Sequence, residues 1–264
     1  AQDGAITGVS AIMRDIRPRK RRERLGAEHN RLLEMIATGA SAQQCLTALT
    51  DAVSFVHPKV RAAVLIANDA RDKIATVFAA RIGSEFGPGI VGLPIDGTPI
   101  GTCGSAIFDG RPIGCVDIAR DQTFSTSWRE HCLAHGARAC LSTPVFGSAG
   151  KSIASFLMLF DEPHQADAWD LEIGTFGAHA AGIVLERDNV IAARKAAEEA
   201  LLQRNRQLEL LASASNTLLL ASGDEQEILE TVFRSIADLL GAESFYHYRP
   251  SSDFEGLELV LAMG

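Results

Sequence analysis

The sequence predicts an α+β fold in which helices flank an antiparallel sheet. Two pairs of β-rich runs are joined by short turn segments at residues 68–72 and 147–151, and such turns are typical of hairpins. Amphipathic runs with helical spacing lie before and between these pairs. No proline occurs between Pro163 and Pro250, which leaves room for a long helix after the sheet.

The composition is that of a folded globular protein. With 264 residues, 47% of them hydrophobic and 22% charged, the chain can bury a sizeable core. Its net charge of −8 argues against nucleic-acid binding over the whole surface. No apolar run approaches the roughly 20 residues that span a bilayer, so we expect a cytoplasmic segment without membrane contact. The five cysteines form no disulfide pattern, and we expect free thiols.

The first 24 residues resemble the end of a PAS domain. Residues 5–13 alternate in polarity like a strand, and residues 15–20 resemble the Asp-Ile-Thr-x-Arg-Lys signature of a PAS exit, with Arg17 in place of the threonine. Residues 1–27 hold seven basic and three acidic side chains, a net charge of +4, without an aromatic residue for base stacking. We interpret this basic run as a solvated helix face and expect no nucleic-acid partner.

Two helices are predicted next. A seam with 4-3-4 spacing indicates a helix over residues 25–36. Its members are Leu25, His29, Leu32 and Ile36. Gly39 ends this helix, and Ser41 is a suitable N-cap for a second helix that stops at His57, because Pro58 follows.

The segments from residue 60 onward alternate between strands and helices. In order they are strand 60–67, strand 73–82, a Gly- and Pro-rich loop over 83–101, a helix from Gly101, strand 111–119, an amphipathic segment over 127–136, and strands 138–146 and 152–160. Loops as long as the one over 83–101 usually carry function or disorder.

Three motifs give this order of elements a family resemblance. They are Gly-Thr-Cys-Gly-Ser-Ala at 101–106, Val-Asp-Ile-Ala at 116–119 and Leu-Ala-His-Gly-Ala-Arg-Ala-Cys-Leu-Ser-Thr-Pro at 133–144. Together they resemble a subgroup of GAF domains, which are small-molecule sensing modules of signalling proteins. The resemblance implies a GAF-like antiparallel sheet of five or six strands flanked by helices, with long connecting signalling helices. It also implies that the loop over 83–101 folds over a pocket.

The resemblance divides the chain into four parts. These are a PAS remnant at 1–24, a GAF domain at 25–166, a coiled-coil-like connecting helix at 167–207, and the truncated start of a second GAF domain at 208–264. A heptad frame of nine positions, six of them apolar, runs along the long helix. These positions are Val190, Arg194, Ala197, Leu201, Arg204, Leu208, Leu211, Ser215 and Leu218. We therefore expect a homodimer through helices 25–36 and 190–218.

In a GAF fold, six residues are candidates for facing a pocket. They are Cys103, Cys115, Phe124, Trp128, His131 and Ser142. Phe124 and Trp128 would supply apolar walls, and His131 or Ser142 a polar handle for an unidentified small molecule. Trp128 is expected to be buried and to border any cavity, because it shares a helical face with Cys132. The alternative is that all six are ordinary core residues that close an empty pocket.

Known ligand signatures of GAF domains disfavour cyclic nucleotide, bilin and haem as cofactors. Phe-Asp-Glu at 160–162 lacks the Asn-Lys partner of the cyclic-nucleotide domains, and Asp-Ile-Ala at 117–119 replaces the Asp-Ile-Pro of phytochromes. Cys132 is followed by leucine rather than by the histidine of a bilin attachment site. His131 and His135 could present two nitrogens to a metal or haem iron, but paired Cys-x-x-Cys spacing is missing, so we predict no metal site.

We expect no catalytic residue in this segment. Cys103 lies near a helix start, which favours a thiolate, and the free methionine-(R)-sulfoxide reductases of the GAF family also have a Cys-Gly pair there. Their His-Ile-Ala-Cys-Asp motif is missing, however, so that enzyme remains a disfavoured alternative. The expected function is a sensory and dimerisation fragment of a bacterial signal-transduction protein, with a histidine kinase as the parent. A cyclic di-GMP synthase or phosphodiesterase parent and a ligand-free spacer stay open.

Overall fold

The computed structural model describes residues 17–220, 230, 234, 244–251 and 256–263. The chain divides into two compact units, Ala1–Ile191 and Ala192–Gly264. The strand predicted at 5–13 lies outside the described residues, so the PAS resemblance of residues 1–24 stays a prediction. Among the described residues, none of the helices combines the length and the apolar character that crossing a membrane requires.

The first unit is built on a five-stranded antiparallel sheet with the order β2-β1-β5-β4-β3. The strands are β1 Val60–Ala67, β2 Ile74–Phe78, β3 Ile113–Cys115, β4 Ala139–Phe146 and β5 Ser152–Phe160. The helices of the described residues are α1 Arg17–Ala37, α2 Ala42–Val56, α3 Thr102–Asp109, α4 Thr126–Ala134 and α5 Ala168–Leu220. This arrangement confirms the predicted α+β fold. Ser41 caps α2 as expected, in a reciprocal capping box with Gln44.

The central strands bury both faces of the sheet, and alternate side chains enter two different cores. Phe156 and Met158 of β5 pack with residues of α1, α2 and α5, whereas Leu157 and Leu159 pack with residues of α3, α4 and the 83–101 loop. We call these two faces the helical side and the loop side. The candidate pocket residues belong to elements of the loop side.

On the helical side, α5 approaches the sheet closely through small residues. A Cβ atom at Gly177 would overlap the ring of Phe156, and one at Gly174 would lie 2.6 Å from Thr143 Oγ1. Glycine at these positions therefore lets the helix backbone lie directly on β4 and β5, and a larger side chain would separate them.

Two predicted strands are shorter than expected. The segment 111–119 contains only the three-residue strand β3, because the carboxylate of Asp117 accepts the N–H of Ala119 at 3.1 Å and turns the chain. The N–H of Ile118 then donates to the carbonyl of Arg138, which is the residue before β4. The run 73–82 likewise forms a strand only over 74–78, after which turns lead into the loop.

The second unit contains a described hairpin. Strands β6, Phe245–Pro250, and β7, Leu257–Met263, pair antiparallel. Most of residues 221–243 lie outside the described residues. The assignment of residues 208–264 to a second GAF domain therefore stays a prediction.

Candidate functional site

The Gly-Thr-Cys-Gly motif starts α3, and its glycines have a packing role. Gly101 is the N-cap in an extended conformation, and a Cβ atom there would overlap the indole of Trp128. A Cβ atom on Gly104 would lie 3.1 Å from the carbonyl oxygen of Pro94 in the loop. The two glycines thus let the indole and the loop pack tightly against the first turn of α3.

A buried cluster of hydroxyl and thiol groups lies between this turn and the sheet. The hydroxyl of Ser142 donates to Thr102 Oγ1 at 2.9 Å and lies 3.3 Å from Cys103 Sγ. Thr102 Oγ1 is also 3.4 Å from Cys140 Sγ. Ser155, fully buried on the neighbouring strand, has a hydroxyl without a hydrogen-bond partner among the described residues. The loop side therefore holds a polar group that a bound molecule could satisfy.

The thiols of this region are held in their protonated form. Burial raises the pKa of Cys103 to about 11, against the weaker influence of its hydrogen bond to Ser142. Burial, together with the carboxylate of Asp121, raises the pKa of Cys115 to about 12. The pKa values of Cys132 and Cys140 are also raised by burial. A helix N-terminus is expected to stabilise the Cys103 thiolate, but burial away from water raises the pKa of this thiol by more.

The apolar wall of the site consists of two aromatic rings. Trp128 is 4% exposed, and its ring centroid lies 5.2 Å from that of Phe124. The predicted burial of Trp128 is therefore confirmed. The indole and Cys103 border a cavity of about 10 Å³, which is close to the least that one water molecule needs. This cavity is too small for a molecule larger than water.

His131 contacts the covering loop. Its Nε2 lies 2.9 Å from the carbonyl oxygen of Phe86, which is a fully buried residue of the loop. A Cβ atom at Gly89 would overlap the imidazole, so the loop backbone lies directly on that ring. Nδ1 of His135 lies within hydrogen-bond distance, 2.9 Å, of the carbonyl oxygen of His131. In the part of the chain that the structure describes, no group of three or more His, Cys, Asp or Glu side chains could hold a metal ion.

The structure brings five of the six candidate residues together. Four belong to the core of the loop side, and Ser142 joins them through its contact with Cys103. These four are Cys103, Cys115, Phe124 and Trp128. His131 instead lies at the edge, against the loop. Sequence reasoning missed Thr102, although it stands next to Cys103 in the same motif and its hydroxyl joins two other members of the cluster.

Comparison with known proteins adds one curated relative. The chain is 27% identical over 197 residues to the methyl sulfide methyltransferase-associated sensor of Methanosarcina acetivorans, which covers 75% of this chain and 20% of that protein. The chain therefore spans about a fifth of the length of that relative. No model of a known protein family matches the chain.

Two solved structures extend the comparison. A protein described as a GAF sensor from Burkholderia vietnamiensis is similar with a TM-score of 0.50 and 10% identity, over 64% of this chain and 98% of that chain. A domain described as part of a two-component sensor histidine kinase from Sinorhizobium meliloti 1021 has a TM-score of 0.47 and 18% identity, over 60% and 99% of the two chains. The five-stranded domain thus has the GAF-like fold that its motifs implied.

Proposed function

We propose that this chain is the sensory fragment of a multidomain signal-transduction protein, and that its GAF-like domain binds a small molecule on the loop side. The observation that carries the proposal is the buried hydroxyl–thiol cluster around Ser142, beneath a loop that packs on His131. An apolar molecule with one hydrogen-bonding group would suit it, because Trp128 and Phe124 offer apolar walls and Ser155 an unpaired hydroxyl.

The signal would leave through α5. Ser142 lies on β4, and the hairpin after β4 is bonded to the helix: the N–H and the hydroxyl of Ser148 both donate to the Glu186 carboxylate at 2.9 Å. One residue later, Arg187 donates to the carbonyl of Ala40 at 2.8 Å, which ties α5 to the connection between α1 and α2. A ligand that shifts β4 would therefore change the relative populations of alternative positions of α5.

The parent protein is proposed to be a bacterial histidine kinase. The similarity to the sensor from Methanosarcina acetivorans supports a signalling role. A parent that makes or degrades cyclic di-GMP is the alternative, because the described domain is a type of input that different outputs can share.

A second copy of the chain is the proposed partner. Val190, Leu201, Leu208 and Leu211 of the heptad frame are each more than half exposed on α5, as a two-stranded coil requires. In contrast, Leu25 and Leu32 of α1 are buried in the core of their own domain, so other faces of α1 would contact the partner. Sedimentation should show a dimer at tens of micromolar. This is about the range of dissociation constants expected for a weak coiled-coil interface. The Leu201→Glu, Leu208→Glu double variant should be monomeric.

Ligand binding is tested by native mass spectrometry and by thermal shift against a library of small metabolites. We expect at least one library compound to raise the melting temperature of the wild-type chain, and Ser142→Ala to reduce that shift. Ser84→Ala is the matched control, because the hydroxyl of this exposed serine bonds to its neighbour Glu85 and not to the cluster. A library without a single stabilising compound, together with protein that purifies empty, would favour the ligand-free spacer.

A further inference from the structure

A buried carboxylate joins α2, the segment after β5 and the first turn of α5. Asp170 is fully buried, and its Oδ2 lies 2.7 Å from His164 Nε2. Its Oδ1 lies 3.2 Å from Nε2 of His57, the C-cap of α2, in a contact that lacks hydrogen-bond geometry. Two imidazoles from different segments therefore meet at one carboxylate, at the point where the long helix begins.

The same carboxylate also caps the helix. Asp170 Oδ2 accepts the N–H of Asp167 at 2.8 Å, and Asp167 Oδ1 in turn accepts the N–H groups of Trp169 and Asp170 at 2.8 and 2.9 Å. This reciprocal arrangement satisfies backbone donors that a helix start otherwise leaves unpaired. The ring of Phe160 stacks on His164 at 4.2 Å and meets His57 edge-on at 6.2 Å, so both imidazoles are held in place.

The cluster favours a neutral His57. The Nδ1 atom of His57 is buried and has no hydrogen-bond partner among the described residues, so a proton placed there would find no acceptor. Burial lowers the pKa of His57, and this outweighs the attraction of Asp170; the guanidinium of Arg21 on α1 lowers it further. Asp167 stays ionised, because the backbone N–H of Asp170 lowers its pKa. The charged and titratable groups around His57 are thus Arg21, His164, Asp167 and Asp170.

We propose that Asp170, His57 and His164 form a proton-sensitive latch that fixes the first turn of α5 to the domain. When the latch opens, His57 reaches solvent and regains its ordinary affinity for a proton. The open state therefore binds more protons than the closed state. The stabilisation is fully present above the ordinary histidine pKa of about 6.5 and is lost as the pH falls below it. This device goes beyond ligand sensing, because it gives the long helix a second input.

Trp169 provides a local probe, since it is the residue before Asp170. The guanidinium carbon of Arg21 lies over its indole, 5.9 Å from the ring centroid. The chain has two tryptophans, so labelling with 5-fluorotryptophan gives two ¹⁹F resonances, assigned through Trp128→Phe. Between pH 8 and pH 5 we expect the Trp169 resonance to shift with a midpoint below about 6.5. His57→Gln should abolish this titration, whereas His179→Gln, at an exposed position of the same helix, should leave it unchanged.

A Trp169 resonance that does not titrate, or that titrates alike in wild type and His57→Gln, would overturn the proposal. If His57→Gln does not fold, the ¹³C-labelled Cε1 signal of His57 in the wild-type chain decides the question. A midpoint above the ordinary histidine value of about 6.5 would refute the latch, and one below it would support it. The measurement needs no ligand and no output domain, so an unsuccessful ligand search would leave its result unaffected.

Discussion

The two sides of the sheet are closed by different means. On the helical side, α5 lies on β4 and β5 through glycines, and the core there is filled by aliphatic and aromatic side chains from three helices. On the loop side, two short helices, α3 and α4, and an irregular loop cover a core that contains four thiols and several hydroxyls. Backbone hydrogen bonds tie the later part of the loop to the start of β2 and the segment just before it, at Gly92, Leu93 and Ile95. The earlier part of the loop is contacted by His131 at the Phe86 carbonyl.

This difference indicates which side can change its conformation. The backbone hydrogen bonds of residues 83–91 are local to the loop, so this part can move without breaking a backbone pair with the sheet, whereas moving α5 off the sheet would expose a continuous apolar surface. We therefore expect the proposed ligand to enter from the loop side, with the helical side as the more rigid support. The following predictions test this division.

The largest expected effect is that of removing the indole from the loop side. Trp128→Ala should lower the free energy of unfolding by about 3–5 kcal/mol, as for other large core aromatics, measured by urea denaturation. Indole added to this variant should restore part of the loss by filling the cavity. Phe156→Ala is the counterpart on the helical side, and benzene should restore less of its stability at the same concentration. Equal restoration of the two variants would contradict the division.

The second effect concerns the contact of α5 with the sheet. Gly177→Ala should destabilise the domain by about 1–3 kcal/mol, because the added methyl group overlaps the Phe156 ring in a tightly packed region. Gly26→Ala in α1 is the matched control, since nothing lies within 4 Å of its would-be Cβ atom. That control should be neutral or stabilise the helix by up to about 1 kcal/mol. An unchanged free energy of unfolding in Gly177→Ala would show that the contact between α5 and Phe156 is loosely packed.

A smaller effect is expected where the loop is held. His131→Ala removes the contact with the Phe86 carbonyl and should cost about 1 kcal/mol of stability. Amide hydrogen exchange over residues 83–101 should accelerate, while exchange in α2 should not change, because α2 lies on the other side of the sheet. His179→Gln serves as control. Acceleration in α2 as well would mean that the two sides open together.

The sequence was most informative where structure is local. The boundaries predicted for β1 and β5 are those of the structure, because alternation and turn residues specify a hairpin strand over a few positions. The strand predicted at 111–119 is longer than β3. The turn that ends β3 depends on one side-chain contact of Asp117, which hydrophobic periodicity does not reveal. The fold could thus be predicted nearly in full, and the lengths of its irregular segments could not.

The site was predictable only in part, for the same physical reason. Trp128 and Cys103 followed from motifs and helical spacing, but the partner of His131 is a backbone carbonyl 45 residues away, at a position set by the path of the loop. The meeting of His57, His164 and Asp170 had no signal in the sequence, because its members are brought together by three separate elements. Which polar groups meet over a long sequence distance depends on how the elements pack, and no local pattern in a single sequence indicates it.

The smallest expected effect is that of Cys103→Ser. The new hydroxyl can keep the contact with Ser142, so we expect a change in stability below about 1 kcal/mol. Neither the wild-type chain nor the variant should reduce free methionine-(R)-sulfoxide, because a nucleophilic cysteine needs a thiolate and burial raises the pKa of Cys103 to about 11. Turnover by the wild-type chain that the variant lacks would establish an enzyme.

Thiol reactivity sharpens the same test across the loop side. At pH 8 only about one in a thousand Cys103 side chains would be ionised at a pKa of about 11. Since all five cysteines are buried, an aromatic disulfide reagent should react with the native chain far more slowly than with glutathione, and should titrate five thiols in denaturant. A ligand that opens the loop side should accelerate the reaction of Cys103 and leave that of Cys45, in the core of the helical side, unchanged. Equal acceleration of both thiols would mean that binding loosens the whole domain and that the loop side does not open separately.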